Sequence, residues 1–212
     1  MKHVIVLLLI CTPFILNAQY HKAKLQMVDG SLKDGFAKLP SNKLLDSKVE
    51  FKVSKKAKVE KFKDGEVSKI MIRSKGGDQY VFERLPIIHL FKSFGREIER
   101  EKSQKHWVLL YQSNKKLSSF SLAQRYKLDR NGVMKSITGS NSIWEFVYFL
   151  LKRTEEDKAY IVSGMGFTNG QVRKAMAIYF NDIPEFVERI NNKEFKKHGV
   201  HEVANEYAKY FN

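Results

Sequence analysis

The sequence predicts an α+β fold in which an antiparallel β region precedes a C-terminal tail of about three short helices. Short runs rich in β-branched and aromatic residues, separated by glycine-containing turns, continue to residue 162. From residue 163 the spacing of apolar residues becomes helical. The chain has 212 residues, of which 43% are hydrophobic, so a core can form without disulfides. A barrel-like closure of the β region is one form that this fold could take.

Residues 1–18 have the order of a secretory signal peptide. A basic opening at Lys2 precedes an apolar stretch at 4–16, and Ala18 supplies a small residue before Gln19. The apolar stretch is shorter than the roughly 20 residues that a membrane-spanning helix needs. A buried first strand or helix is the alternative. We therefore expect a secreted or periplasmic protein with a basic β domain at 19–162 and a helical subdomain at 163–212.

The single cysteine, Cys11, lies inside this leader. Ile10 before it and Phe14 after it do not fit a lipid-attachment site. Cleavage after Ala18 would leave a chain without disulfides, thiol nucleophiles or thiolate metal ligands, whose stability comes from packing.

Turns and alternation define the expected strands. Asp29-Gly30, Asp64-Gly65 and Gly76-Gly77-Asp78 are typical of hairpin turns. Alternation places Val49, Phe51 and Val53 on one buried face. The expected strands after the turns are 32–39, 70–73 and 80–85, and later strands are expected at 107–112, 117–126, 146–152 and 159–162.

Two further segments of the β region are expected to be irregular. The charge-dense segment 95–105 predicts an exposed connection or a short helix, and residues 154–157 predict a turn.

Aromatic residues are interleaved with the basic groups of the β region. They could form a stacking surface for sugars or bases, but alternation favours a place in the core, with Tyr111 on the same face as Trp107 and Leu109. These aromatic residues are Phe51, Phe62, Tyr80, Phe82, Trp107 and Tyr111.

The tail predicts three helices. Thr168 with Gln171, and Asp182 with Glu185, match the capping-box pattern, and Pro184 suits a first turn. The residues expected to face the core are Val172, Ala175, Met176 and Tyr179 in the first helix, Ile183, Phe186, Val187 and Ile190 in the second, and Val203, Tyr207 and Tyr210 in a third helix at 200–211.

Segments near both ends resemble an uncharacterised family of secreted proteins from Bacteroidota. The matching segments are 28–35 (VDGSLKDG), 179–186 (YFNDIPEF) and 190–195 (INNKEF), together with the terminal Phe211-Asn212 and a leader that ends Ala18-Gln19. Family members often carry Cys where this chain has Ile183. The resemblance implies export and a shared architecture, and it supplies no catalytic residue.

The motifs that could carry chemistry are incomplete. The loop 163–170 has the glycines of a phosphate-binding turn but the wrong spacing. His198 and His201 lack the partner one turn later that a zinc helix needs. The carboxylates of 155–157 fall in an expected solvent-exposed turn, where nothing sets their pKa values apart. We expect no catalytic residue, cofactor or metal site.

Charge is the remaining functional signal. Residues 1–18 contain one of the 38 basic groups and no acidic one, so cleavage lowers the net charge from +15 to +14. Such a field attracts anionic partners, although a lysine-rich face that only keeps the protein soluble is the alternative. The candidate contacts with an anionic surface are Lys52, Lys55, Lys56, Lys58, Lys61 and Lys63.

These observations favour an exported, noncatalytic binding module of the cell envelope or exterior. Its partner would be an anionic glycan, a lipid surface or an envelope protein, and export disfavours nucleic acid. An unrecognised hydrolase of envelope glycans or peptides, and a structural or assembly component, are the two alternatives.

Overall fold

The structure, a computed structural model, describes residues 19–43, 48–63, 65–93, 96–101, 104–137, 147–195 and 200–211. The first seven strands are β1 His21–Met27, β2 Leu32–Ala37, β3 Val49–Lys52, β4 Glu60–Phe62, β5 Val67–Arg73, β6 Gln79–Leu85 and β7 Ile87–Ser93. The later strands are β8 Arg96–Glu101, β9 His106–Ser113, β10 Leu117–Ala123, β11 Arg125–Leu128, β12 Met134–Ile137, β13 Val147–Arg153 and β14 Ala159–Gly164. The helices are α1 Asn169–Tyr179, α2 Pro184–Asn191, α3 Val200–Ala208 and a 3₁₀ helix Lys209–Phe211.

The fold is mainly β-sheet with C-terminal helices, which confirms the α+β class. Twelve strands form one sheet in the order β4-β3-β2-β1-β5-β6-β9-β10-β13-β14-β7-β8, and β11 pairs with β12 separately. This order ends at two edge strands, β4 and β8. The sheet is therefore not closed into a barrel, and the barrel-like form is not confirmed.

The chain changes partner strands at Pro86. This residue alone separates β6 from β7, yet β6 pairs with β9 whereas β7 pairs in parallel with β14. Strands β7, β9, β10, β13 and β14 share a buried apolar cluster. Its members are Ile87, Val108, Phe120, Leu122, Leu150, Ala159 and Ile161.

The β11–β12 hairpin covers a second cluster, which lies under β1, β5 and β6. Tyr126 of β11 is buried there, and its hydroxyl accepts a hydrogen bond from the Ala123 N–H at 3.1 Å. The Asn42 side chain donates to the carbonyls of Trp107 and Ala123, both at 2.8 Å. A buried polar group is stabilising only when it is bonded. The Tyr126 hydroxyl therefore fixes how the hairpin sits on the sheet, and the Asn42 bonds tie the segment after β2 to β9 and β10.

The helices pack on β7, β10, β13 and β14 through the third cluster. Ala175, Met176 and Tyr179 are buried in it, and Val172 packs against it, as the helical spacing of these four residues predicted. The Thr168–Gln171 capping box is confirmed, since each side chain bonds the backbone N–H of the other.

The prediction of a second capping box, at Asp182 and Glu185, is wrong. Ile183 is the N-cap of α2 and has no side-chain capping bond, because the Asp182 carboxylate instead accepts from Arg153 of β13. Phe186 and Ile190 are buried as expected, and Pro184 occupies the first turn.

Four other sequence expectations are corrected. Tyr111 is 64% exposed, because it is the extra residue of a bulge: Ser119 pairs with Gln112 and Phe120 with Leu110. Val53 is 58% exposed, because β3 ends at Lys52.

In the segment 95–105, residues 96–101 form strand β8 against β7, where backbone pairing outweighs the charge density. Tyr210, expected to face inward, is exposed. None of the described helices is long and apolar enough to cross a membrane.

Candidate functional site

The six candidate lysines lie in and around the hairpin formed by β3 and the edge strand β4. We call residues 48–63 the basic hairpin. It contains seven lysines and two glutamates, a net charge of +5 within sixteen residues. A sheet edge rich in lysine also resists pairing with another sheet, which is the purely structural explanation of the pattern.

Four of the six lysines are exposed and have no counter-charge among the described residues. Lys55, Lys56, Lys58 and Lys63 are exposed and take part in no ion pair with any described residue. The Lys55 ammonium lies 5.9 Å from the centroid of the Phe36 ring. Their charges are therefore available to an external anion.

The other two lysines are engaged within the protein. Lys52 is half-buried, with its ammonium 4.6 Å from the centroid of the Tyr20 ring. Lys61 is exposed, but its ammonium lies 3.9 Å from a carboxylate oxygen of Glu50. The structure thus divides the predicted set into four exposed lysines that pair with no described carboxylate and two, Lys52 and Lys61, that support the hairpin.

Glu50 joins the hairpin to the start of the described chain. Its carboxylate accepts from the Tyr20 hydroxyl at 2.8 Å and pairs with the Lys38 ammonium at 2.5 Å. Burial alone would raise the pKa of Glu50, but these two hydrogen bonds and the charges of Lys38 and Lys61 hold it below its ordinary value. Burial and the neighbouring carboxylate raise the pKa of Tyr20 to about 12.

The lowered pKa of Glu50 predicts a pH-dependent contribution to stability. Glu50→Gln is expected to reduce the free energy of unfolding by about 1 kcal/mol at neutral pH, since a charge-assisted hydrogen bond is weakened. A carboxylate with a depressed pKa stabilises above its unfolded value, near 4.3, and this contribution disappears as the pH falls through the folded value.

Urea unfolding between about pH 7 and pH 3 measures this difference. The two proteins should converge in acid, and Asp34→Asn, which removes the exposed partner of Lys24, serves as the control. A gap between wild type and Glu50→Gln that stays constant into acid would contradict the assignment.

Exposed apolar side chains flank the lysines of the hairpin. Val53 is 58% exposed and Val59 is 40% exposed, and they stand on either side of Lys55, Lys56 and Lys58. The surface therefore offers hydrocarbon and positive charge together.

A cavity of about 440 Å³ adjoins the hairpin. Its lining includes Lys48, Glu50 and Lys61, with Ile70 and Trp107 beneath. Among the described lining residues, Glu50 is the single carboxylate and none is a histidine.

Two of the sequence motifs considered for catalysis, the glycine loop and the acidic turn, occupy structural positions. Gly166 forms the turn between β14 and α1. Glu156, expected to be screened by solvent, is half-buried, and its carboxylate accepts from the Tyr179 hydroxyl at 2.7 Å. His198 lies outside the described residues, as do Cys11 and the leader.

Sequence reasoning missed the residues that hold the hairpin in place. Tyr20, just before β1, and Lys38, just after β2, reach Glu50 from elsewhere in the chain, and no spacing rule connects them. Within the ranges that the structure describes, no group of three or more His, Cys, Asp or Glu is placed to hold a metal ion.

Comparison with known proteins gives no relative. No family model, curated protein or solved structure matches the chain.

Proposed function

We propose that the protein is an exported, noncatalytic binding module that attaches to an anionic surface through the basic hairpin. The observation that carries the proposal is a net charge of +5 in residues 48–63, with Lys55, Lys56, Lys58 and Lys63 exposed and unpaired among the described residues. Export rests on the leader pattern of residues 1–18 and on the resemblance to secreted proteins.

The apolar residues of the hairpin favour a lipid surface over a polysaccharide. Val53 and Val59 can enter the boundary between headgroups and acyl chains while the lysines between them contact lipid phosphates. A polysaccharide would satisfy the ammonium groups but would leave the two valines in water.

The distribution of charge orients the molecule on such a surface. Residues 19–92, which include the hairpin, carry 17 basic and 9 acidic groups, a net +8, whereas residues 161–212 carry 7 and 6, a net +1. The β1–β6 side should therefore face the anionic surface, with the helices directed away from it.

Binding to anionic vesicles tests the proposal. Each lysine near an anionic membrane contributes about 1 kcal/mol, so Lys56→Gln with Lys58→Gln should weaken binding about 30-fold. The measurement is sedimentation with vesicles of phosphatidylcholine containing about one-third phosphatidylglycerol. Raising the salt from about 0.1 M to about 1 M shortens the screening length from about 10 Å to about 3 Å and should release the protein.

The matched control is Lys115→Gln with Lys174→Gln. It removes the same net charge from exposed positions outside the hairpin and should leave vesicle binding nearly unchanged. Equal losses in the two double variants would show that only net charge matters. Retention by an anionic polysaccharide but not by vesicles would replace the lipid surface with a glycan.

A further inference from the structure

A second basic site is lined by residues outside the hairpin, where three distant segments meet. A pocket of about 440 Å³ opens between the start of β1, the β5–β6 turn and the β11–β12 turn. Its ionisable lining residues are His21, Lys75, Lys127, Asp129 and Arg130. The volume falls within the range of small-molecule sites.

The positive charges of this pocket are not balanced. Lys75, Lys127 and Arg130 form no ion pair with any residue that the structure describes. Among the described lining residues, Asp129 is the one carboxylate, and its charge is paired with Lys135. Three cationic groups therefore line the opening without a counter-ion from the described part of the chain.

Asp129 is held by its own turn. Its carboxylate accepts from the backbone N–H groups of Asn131 and Val133 at 2.9 and 3.0 Å, and it pairs with the Lys135 ammonium at 3.1 Å. These contacts lower its pKa. The negative charge is thus compensated locally, and it fixes the turn that carries Arg130 and follows Lys127 of β11.

His21 contributes a titratable side chain to the lining of the pocket. Its side chain is half-buried, and burial, followed by the charge of Lys75, lowers its pKa below the ordinary value. It is therefore neutral at pH 7 and gains a proton only in acid. A bound anion would offset the charge of Lys75 and would therefore raise the pKa of His21.

We propose that this pocket binds a small tetrahedral oxyanion carrying two negative charges, the chemistry shared by phosphate monoesters and sulfate. Lys75, Lys127 and Arg130 supply the charge, and the His21 imidazole becomes a further cationic donor in acid. Arg130 offers paired N–H donors that match two oxygens of such an anion.

Isothermal titration with sodium sulfate and with inorganic phosphate, at constant chloride, tests the site. Sulfate keeps both charges between about pH 7.5 and pH 5.5, so any change in its affinity over that range reports on the protein. Saturable binding that tightens as the pH falls is expected. In an NMR titration, added sulfate should raise the pKa of His21.

Variants separate the pocket from the overall charge of the protein. Lys127→Gln with Arg130→Gln should weaken sulfate binding by at least tenfold, since each charge at about 5 Å contributes about fourfold even in water. His21→Asn should keep the affinity at pH 7.5 and lose the acid enhancement. Lys56→Gln with Lys58→Gln, in the hairpin, should bind sulfate like wild type.

Three results would overturn the proposal. One is the absence of saturable binding of either anion. The second is an equal loss in Lys115→Gln with Lys174→Gln, which removes the same charge outside the pocket. The third is an acid enhancement that persists in His21→Asn. Vesicle binding does not enter these outcomes, so the pocket and the hairpin are judged separately.

Discussion

Replacing Gly35 by alanine is expected to lower the free energy of unfolding by about 3 kcal/mol, the upper part of the range for overpacking. A Cβ atom at this position of β2 would overlap the carbonyl oxygen of Lys52 and lie 2.5 Å from Cζ of Phe51. Phe51 is fully buried, so its ring has no room to move away. The backbone of β3 must then shift away from β2.

Urea unfolding measures this effect, and Gly170→Ala is the matched control. A Cβ at Gly170 would meet no atom closer than 3.8 Å, and the residue lies in the first turn of α1, where alanine is preferred to glycine. The control should therefore be neutral or stabilising by up to about 1 kcal/mol. A Gly35→Ala protein as stable as wild type would show that β3 is not packed against β2 at this point.

Because β3 carries the basic hairpin, Gly35→Ala should also weaken vesicle binding without changing any charge. This variant separates the contribution of the lysine charges to vesicle binding from the contribution of the hairpin's geometry. A variant that is destabilised but still folded, and that binds vesicles normally, would indicate that charge alone suffices and that the geometry of the hairpin does not matter.

The elements with strong local signals could be predicted from the sequence. Turns at Gly30 and Gly77, both with positive φ, place β2 and β6 where the dipeptides indicated. The Thr168 capping box and the helical stripe fix α1 because both depend on residues within two turns of each other. Such signals are local and are therefore visible without a structure.

The features that the sequence did not reveal depend on partners far along the chain. β8 has a single apolar residue, Ile98, and becomes a strand only because β7 supplies its hydrogen bonds. Tyr111 is turned outward by a register shift against β10. Asp182 matches a cap locally, but Arg153, 29 residues away, binds its carboxylate instead.

The candidate sites also divide into one with a local sequence signal and one that depends on residues far apart in the chain. The lysine cluster of 48–63 is evident from composition, since it is contiguous. The pocket at His21 joins segments that begin more than fifty residues apart, so no motif could have indicated it. Likewise, the Tyr20–Glu50 contact crosses 30 residues.

Replacing Arg153 by methionine is expected to destabilise the protein by about 3 kcal/mol, because a half-buried network of hydrogen bonds, charges and rings loses its centre. The Arg153 guanidinium donates to the Tyr179 carbonyl at 2.9 Å and to the Asp182 carboxylate. It also stacks on the rings of Tyr179 and Tyr207, at 4.9 and 5.6 Å from their centroids. A single side chain of β13 therefore holds α1, the α1–α2 turn and α3.

The change should act first on the helices. Native-state hydrogen exchange is expected to show that the amides of α1, α2 and α3 lose protection together, while those of β1 and β5 keep theirs. Methionine fills much of the same volume, so the loss reports on the hydrogen bonds and the charge rather than on a cavity. Arg130→Met, at an exposed turn, should change stability by less than about 0.5 kcal/mol.

Arg153→Lys separates charge from geometry. Lysine keeps the positive charge but cannot both stack on two rings and bond a carbonyl and a carboxylate, so most of the destabilisation should remain. Full stability in the lysine variant would mean that the charge near Glu156 and Asp182 is the whole contribution. Uniform loss of protection across sheet and helices in Arg153→Met would instead mean that the helices unfold only with the sheet, and that Arg153 does not define a separately releasable tail.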